Sequence, residues 1–332
     1  MARRAKTNSR KKGSGFSASS IFDIASSGKE SLDAMNAEVR LRVHVGSGCA
    51  RELVVSAKEA LAAERPGGIV EVMGLEAPAP GAVDPDAAIV LAAPNEPGAG
   101  SLIRFYLACE VPCALVAESA LDVPDYGAYA EGLFGVVSAS SPEALPFKLG
   151  QWLSDHVENR IALAANFPCC RDAVVTALAN ACAVDNAAIG AISFIPGSDF
   201  PLMTVSQAKL ALDIAAAYGC GLEISRAAEL AGVVGLGLAY RGLARSVAGL
   251  VPGLGWAFKG AMGYAGTMAT AKAVQARFEA GDRLAGLGEY GRAAEEPSHG
   301  VGADIVKLPA PVACAPSDPE DDYLVIEGGG AR

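Results

Sequence analysis

From Ala183 to Ala280 the chain is written almost entirely in Ala, Gly, Leu, Val and Ile, with polar residues only at isolated positions. Side chains this small bury useful area only when helix backbones come close together. The stretch therefore requires a dense helical module. Ala228, Gly232, Gly235 and Ala239 lie on or near one helix face, and Ala261, Ala265, Ala269 and Ala273 repeat the device at a spacing of four. Small-residue rows allow close approach in membranes and in tight soluble bundles alike. They also offer a face on which a second copy of the chain can dock, so a homo-oligomer is one expectation.

A membrane span needs about 20 largely apolar residues. The run from Leu230 to Tyr240 is cut by Arg241 and Arg245, and the run from Val247 to Phe258 contains Pro252 and ends at Lys259. A central arginine costs at least ~2.5 kcal/mol. An ordinary single span is not expected there. The module reads as soluble or peripheral, with a monotopic bundle as the alternative.

The preceding half has a different grammar. VRLRVHV, beginning at Val39, alternates apolar and polar residues as a strand does. A helix is expected from about Ala50 to Glu64, stopped by Pro66-Gly67-Gly68, and GIVEVMGL is a second strand. AAIVLAAP is a continuous apolar run of the buried parallel type. A helix over about Gly98 to Cys109 follows, then the strands CALVAES and LFGVVSA. Strands alternating with helices predict an α/β domain with a mostly parallel sheet, over 39–140. Ser141-Pro142 then opens a helix carrying Leu149, Trp152, Leu153, Val157 and Ile161 on one side, and a further helix runs from about Arg171 to Val184.

Open α/β sheets bind ligands at the carboxyl ends of their strands, so the turn Gly46-Ser47-Gly48 after the first strand is the place for a phosphate. It continues Cys49-Ala50-Arg51-Glu52. A phosphate-cradling loop needs a closing lysine with Ser or Thr, and a dinucleotide turn needs a third glycine where Arg51 stands. Neither is present. Gly46, Ser47 and Gly48 retain only a weak anion-site reading at the start of the next helix. Asn95 and Glu96 are the other polar pair on this rim, and a surface turn accounts for them equally well.

The ends of the chain are polar. Arg3, Arg4, Lys6, Arg10, Lys11 and Lys12 occupy the first twelve residues, and setting those six charges aside from the net −10 leaves the rest at −16. A body that acidic disfavours specific nucleic-acid binding. Residues 1–38 are expected to be a disordered basic arm, with one weak helical patch from Ile21 to Met35, able to touch anionic lipid. Residues 281–332 read as an acidic disordered tail. Eight cysteines without a CxxC, and histidines only at 44, 156 and 299, suggest reduced structural thiols and no metal cluster.

Within the helical half, Asp199 before Phe200-Pro201 suits a helix N-cap. Leu210, Ile214 and Tyr218 share a face, and Gly219 suits the left-handed residue after a helix. Pro196, Gly197, Asp199, Pro201, Gln207, Tyr218 and Gly219 together resemble the opening of a bacterial family, that of domain of unknown function 697. Arg226, Glu229, Arg241, Arg245, Pro252, Trp256, Lys259 and Tyr264 resemble its continuation, so that the likeness covers 163–279. The resemblance implies a helical domain, over 141–280, that follows Era-like GTPase domains, sits in inner-membrane proteins, or follows a short α/β domain with no phosphate loop, and this chain looks like the third type. It implies no activity and no cofactor. The expected partners are an unidentified protein, such as a GTPase or a membrane protein.

The chain thus reads as α/β followed by all-α: a small degenerate Rossmann-like or G-domain-like sheet without a P-loop, then a Gly/Ala-rich bundle. The expected function is that of a non-catalytic scaffold or regulatory protein, cytoplasmic or at the inner membrane. The alternative is a nucleotide-binding regulator or GTPase-related enzyme using the α/β rim. The candidate polar residues of the bundle are Asp199, Gln207, Tyr218, Glu229, Arg241, Arg245, Lys259 and Tyr264. Each also has a structural reading as a helix cap or a register-setting ion pair.

Overall fold

The computed structural model describes residues 18–79, 82–93, 95–124, 132–192, 200–220 and 255–288. Asp199, Glu229, Arg241 and Arg245 lie outside the described residues, as do the small-residue row from Ala228 to Ala239 and nearly all of the acidic tail. Five strands, β1 (Val39–Val45), β2 (Gly68–Met73), β3 (Ala87–Leu91), β4 (Cys113–Ala117) and β5 (Phe134–Ser138), form one parallel sheet in the order β2-β1-β3-β4-β5. This is the Rossmann-like α/β arrangement the strand pattern predicts. AAIVL and CALVA are apolar at every position and buried at every position, as β3 and β4. Such strands belong at the centre of a sheet covered on both faces.

Helix α2 (Arg51–Ala60) follows β1, and α3 (Ala99–Ala108) follows β3. Leu102, Ile103, Tyr106 and Leu107 of α3 pack on Ala88, Val90, Cys113 and Leu115. Register places Arg42 beside Ala88 and His44 beside Val90, so these two polar residues point to the same face. Both are buried, at 2% and 0% exposed. The alternation in VRLRVHV thus marks a strand whose Arg42 and His44 are both buried. The cause is the connection from β2 to β3, whose described residues 74–79 and 82–86 contain no helix. Irregular backbone leaves carbonyls without internal partners. Arg42 donates to the Val83 carbonyl at 2.7 Å, and His44 Nδ1 lies 2.6 Å from the Gly74 carbonyl. Arg40 and Arg42 share the Glu71 carboxylate on β2, at 2.6 and 2.7 Å.

The next helix is shorter than expected. Ser141 makes no side-chain cap, Pro142–Ala144 is a 3-10 turn, and α4 (Leu145–His156) stops before an extended Val157. Asn159 restarts the chain as α5 (Arg160–Asn166), accepting the Ala162 N–H at 3.1 Å. The break lets α4 pack on α2 and β5 while α5 reaches β1 and β2.

Helix α6 (Arg171–Ile192) runs eight residues past the expected Val184. Helix α7 (Phe200–Ala217) ends as predicted: Gly219 has φ +73°, its N–H reaches the Ala216 carbonyl, and the Cys220 N–H reaches Ala215. That is the paired hydrogen-bond pattern of a Schellman ending. Leu210, Ile214 and Tyr218 are buried together. The last helix, α8 (Gly255–Gly288), continues past the boundary expected at Ala280.

Two expectations need correction. Residues 18–35, placed in a disordered arm with one weak helical patch from Ile21 to Met35, form a longer, packed helix, α1 (Ala18–Met35). Its Leu32 and Met35 pack with Ile161, Ala165 and Ala216, and Ser31 donates to Asp213 Oδ1 at 2.5 Å. The row Ala261, Ala265, Ala269 and Ala273 is exposed on α8; the buried face is Gly260, Gly263, Thr267, Thr270, Ala271 and Val274. A Cβ at Gly263 would meet the Asn186 carbonyl of α6 at 2.6 Å, so the close approach is made by glycine on a different face.

The described residues up to Gln275 form one compact unit, with no break near residue 140, and a second unit begins at Ala276.

Candidate functional site

In a parallel sheet of this order the crevice for ligands lies beyond the carboxyl ends of β1 and β3, where the chain leaves in opposite directions. A cleft of about 160 Å³ opens there, lined by Gly48, Cys49, Ala50, Leu53, Ala92, Ala93, Val116, Ala117, Glu118 and Ser119. It is small beside the ~300–1,000 Å³ typical of ligand pockets. Its walls carry no basic side chain.

The loop after β1 is already in contact with an anion, and the anion belongs to the chain. Glu96, from the turn after β3, accepts the Gly48 N–H at 3.0 Å and the Ser47 hydroxyl at 3.1 Å through Oε1. Its Oε2 accepts the Ala93 N–H at 2.9 Å. The hydrogen bond from Gly48 is the main cause of a carboxyl held below its usual range, with burial opposing. A Cβ at Gly46 would fall on the Glu96 carboxylate, and one at Gly48 would meet Ala93 at 2.9 Å. The glycines of this loop therefore serve the approach of Glu96. Asn95, at φ +62°, turns the chain so that the next residue faces the loop; asparagine is among the few residues that tolerate this region.

Cys49, the thiol on the cleft wall, is not activated: burial pushes it up to about 11, with Glu96 and Glu118 adding to the shift. Burial alone pushes Cys113 to about 12. Cys49, Cys109, Cys113, Cys169, Cys170 and Cys182 are free thiols, whereas Cys220, expected reduced, is disulfide-bonded. Among the described residues no three His, Cys, Asp or Glu side chains are grouped as a metal set.

The bundle candidates among the described residues do not assemble into one site. Gln207 is fully buried on α7. Tyr218, at the end of α7, lies under the Arg171 guanidinium at 5.4 Å. Tyr264 of α8 donates to Asn180 of α6 at 3.1 Å. Lys259 falls within α8. The polar hub the residues do build is one the sequence does not advertise. Asn186, 0% exposed on α6, donates to Thr267 at 2.9 Å and accepts from Ser206 at 2.7 Å, tying α6, α7 and α8. A lone asparagine in an alanine-rich run carries no signal of that role. The sequence places Glu96 on the same rim as the β1 loop, but not its bonding to that loop, whose residues lie 48 positions away.

No family model, curated protein or solved structure matches the chain.

Proposed function

We propose that this chain is a non-catalytic scaffold or regulatory protein whose α/β half is a degenerate nucleotide-binding-like domain, of the kind its resemblance to the family of domain of unknown function 697 implies. One observation carries the reading: the Glu96 carboxylate takes the donors of the loop after β1, where a nucleotide phosphate would need them. A phosphate brought to that loop meets a fixed negative charge and no lysine. The partners proposed are a protein, such as a GTPase or a membrane protein, and anionic lipid for the basic residues before Gly13. The place proposed for it is the inner membrane or its cytoplasmic side.

The cleft beside the loop favours a second reading, a nucleotide-binding regulator. Titration calorimetry with GTP and ATP in magnesium separates the two. The scaffold reading expects no binding tighter than millimolar, in the natural chain and in Glu96→Ala alike, since removing the plug supplies no cation. Micromolar binding by the natural chain would select the regulator.

A further inference from the structure

Cys169 and Cys170 stand side by side in the 3-10 turn Pro168–Cys170 that joins α5 to α6. Their sulfurs are 3.7 Å apart, in hydrogen-bonding contact. Cys170 is fully buried, while Cys169 is partly exposed. The turn is held from two sides. The Cys169 carbonyl lies against Gly150 of α4, where a Cβ would collide with it. Arg171, the next residue, pairs with Glu64 at 2.5 Å, donates to the Ala164 carbonyl at 3.3 Å and covers the Tyr218 ring.

The two thiols are unlike. The hydrogen bond with Cys170 lowers the Cys169 thiol below its ordinary range, with burial opposing it and the charge of Arg171 adding a smaller part. The same bond, with burial, holds the Cys170 thiol well above it. The turn also opens α6, whose 22-residue length gives an N-terminal dipole that favours a thiolate. A partly exposed thiol with a buried thiol against it is the arrangement of a nucleophile with a resolving partner.

We propose that Cys169 and Cys170 form a reversible oxidation site for a peroxide, Cys169 reacting first and Cys170 resolving it. The Cys169 thiolate attacks a peroxide oxygen; the O–O bond breaks, the leaving oxygen departs as water after taking up a proton, and Cys169 becomes a sulfenic acid. Cys170 sulfur then attacks Cys169 sulfur. The S–O bond breaks, the S–S bond forms, and the hydroxyl leaves with the Cys170 proton as a second water. Both sulfurs are oxidised and the peroxide is reduced. Adjacent Cα atoms are about 3.8 Å apart, below the ~4.4 Å lower limit of ordinary disulfides. The product ring is therefore strained and easily reduced, as labile regulatory disulfides are. Closing it moves the backbone that carries Arg171, so the contacts to Glu64 and Tyr218 respond first.

The test treats the full chain with about one equivalent of hydrogen peroxide, alkylates what remains and maps the cysteine peptides. The expected result is a peptide containing Cys169 and Cys170 that has lost a pair of hydrogens and resists alkylation, while exposed Cys109 is still alkylated. Dithiothreitol restores it. In Cys170→Ser, a dimedone adduct should appear on Cys169 and no internal disulfide. Oxidation of Cys109 before the pair, in the natural chain, overturns the proposal without reference to any variant. So does a dimedone adduct on Cys170 in Cys169→Ser as fast as the adduct on Cys169 in Cys170→Ser.

Discussion

His44 shows how much one residue in this chain depends on its surroundings. Its Nδ1 faces the Gly74 carbonyl and its Nε2 faces the Tyr106 hydroxyl, each at 2.6 Å. A carbonyl only accepts, so Nδ1–H donates, and in the neutral ring Nε2 accepts the tyrosine proton. Burial lowers the His44 pKa below 6.5, with Arg42 adding to the shift and the Gly74 bond opposing it. The unfolded chain therefore holds more protons than the folded one once pH falls below about 6.5. Its contribution is complete above that value and is lost on acidification. Urea midpoints should fall between about pH 7.5 and 5.5, and His44→Gln should be less stable at the upper pH but decline less over the interval. An equal decline in both would place the acid sensitivity elsewhere.

At the scale of elements, the contact of α6 with α8 turns on which face of α8 is used. Gly263 has the Asn186 carbonyl at 2.6 Å and Met203 Cε at 3.2 Å from any added Cβ. A backbone carbonyl cannot swing aside. Gly263→Ala gains about 1 kcal/mol of helix propensity, but overpacking costs about 1–3 kcal/mol. The net change should be a loss. Ala265→Gln on the exposed row should stay within about 0.5 kcal/mol. Chemical denaturation of the two variants checks the assignment; the reverse order would put Ala265 at the interface. Helix α6 is also, with the turn before it, the one described stretch long and apolar enough to cross a membrane by length and composition, over Pro168–Ala191, and 33% of its apolar window is buried within the chain. Three of its polar residues are already bonded within the fold: Asp172 to Gln275, Asn180 to Tyr264, Asn186 to Thr267.

For the whole molecule, the decisive element is α1, which joins a segment that reads as an arm to the compact unit. Ser31 and Asp213 meet across 182 residues of sequence, and burial raises the Asp213 carboxyl. Met35, 5% exposed, is the apolar anchor beside them. Met35→Ala should cost about 2–5 kcal/mol if it fills the site the structure gives it. An unchanged urea midpoint would return α1 to the status of a loose arm.

Much of this architecture is written locally. β3 and β4 had to be central, because strands apolar on both faces are stable only when both are covered. The end of α7 was equally determined, since Gly219 accepts a positive φ that other residues resist. The absence of a closing lysine followed by Ser or Thr was plain in Cys49-Ala50-Arg51-Glu52. What only the tertiary structure decided are the choices on which local patterns are silent. The period of VRLRVHV shows that two faces differ but not that an irregular crossover will claim Arg42 and His44 for its carbonyls. Helix α8 carries small residues on more than one side, so its sequence offers no asymmetry from which to read the buried face. The anion of the β1 loop comes from Glu96, brought there by the pairing of β1 with β3, and long-range proximity of that kind leaves no periodic trace in a chain.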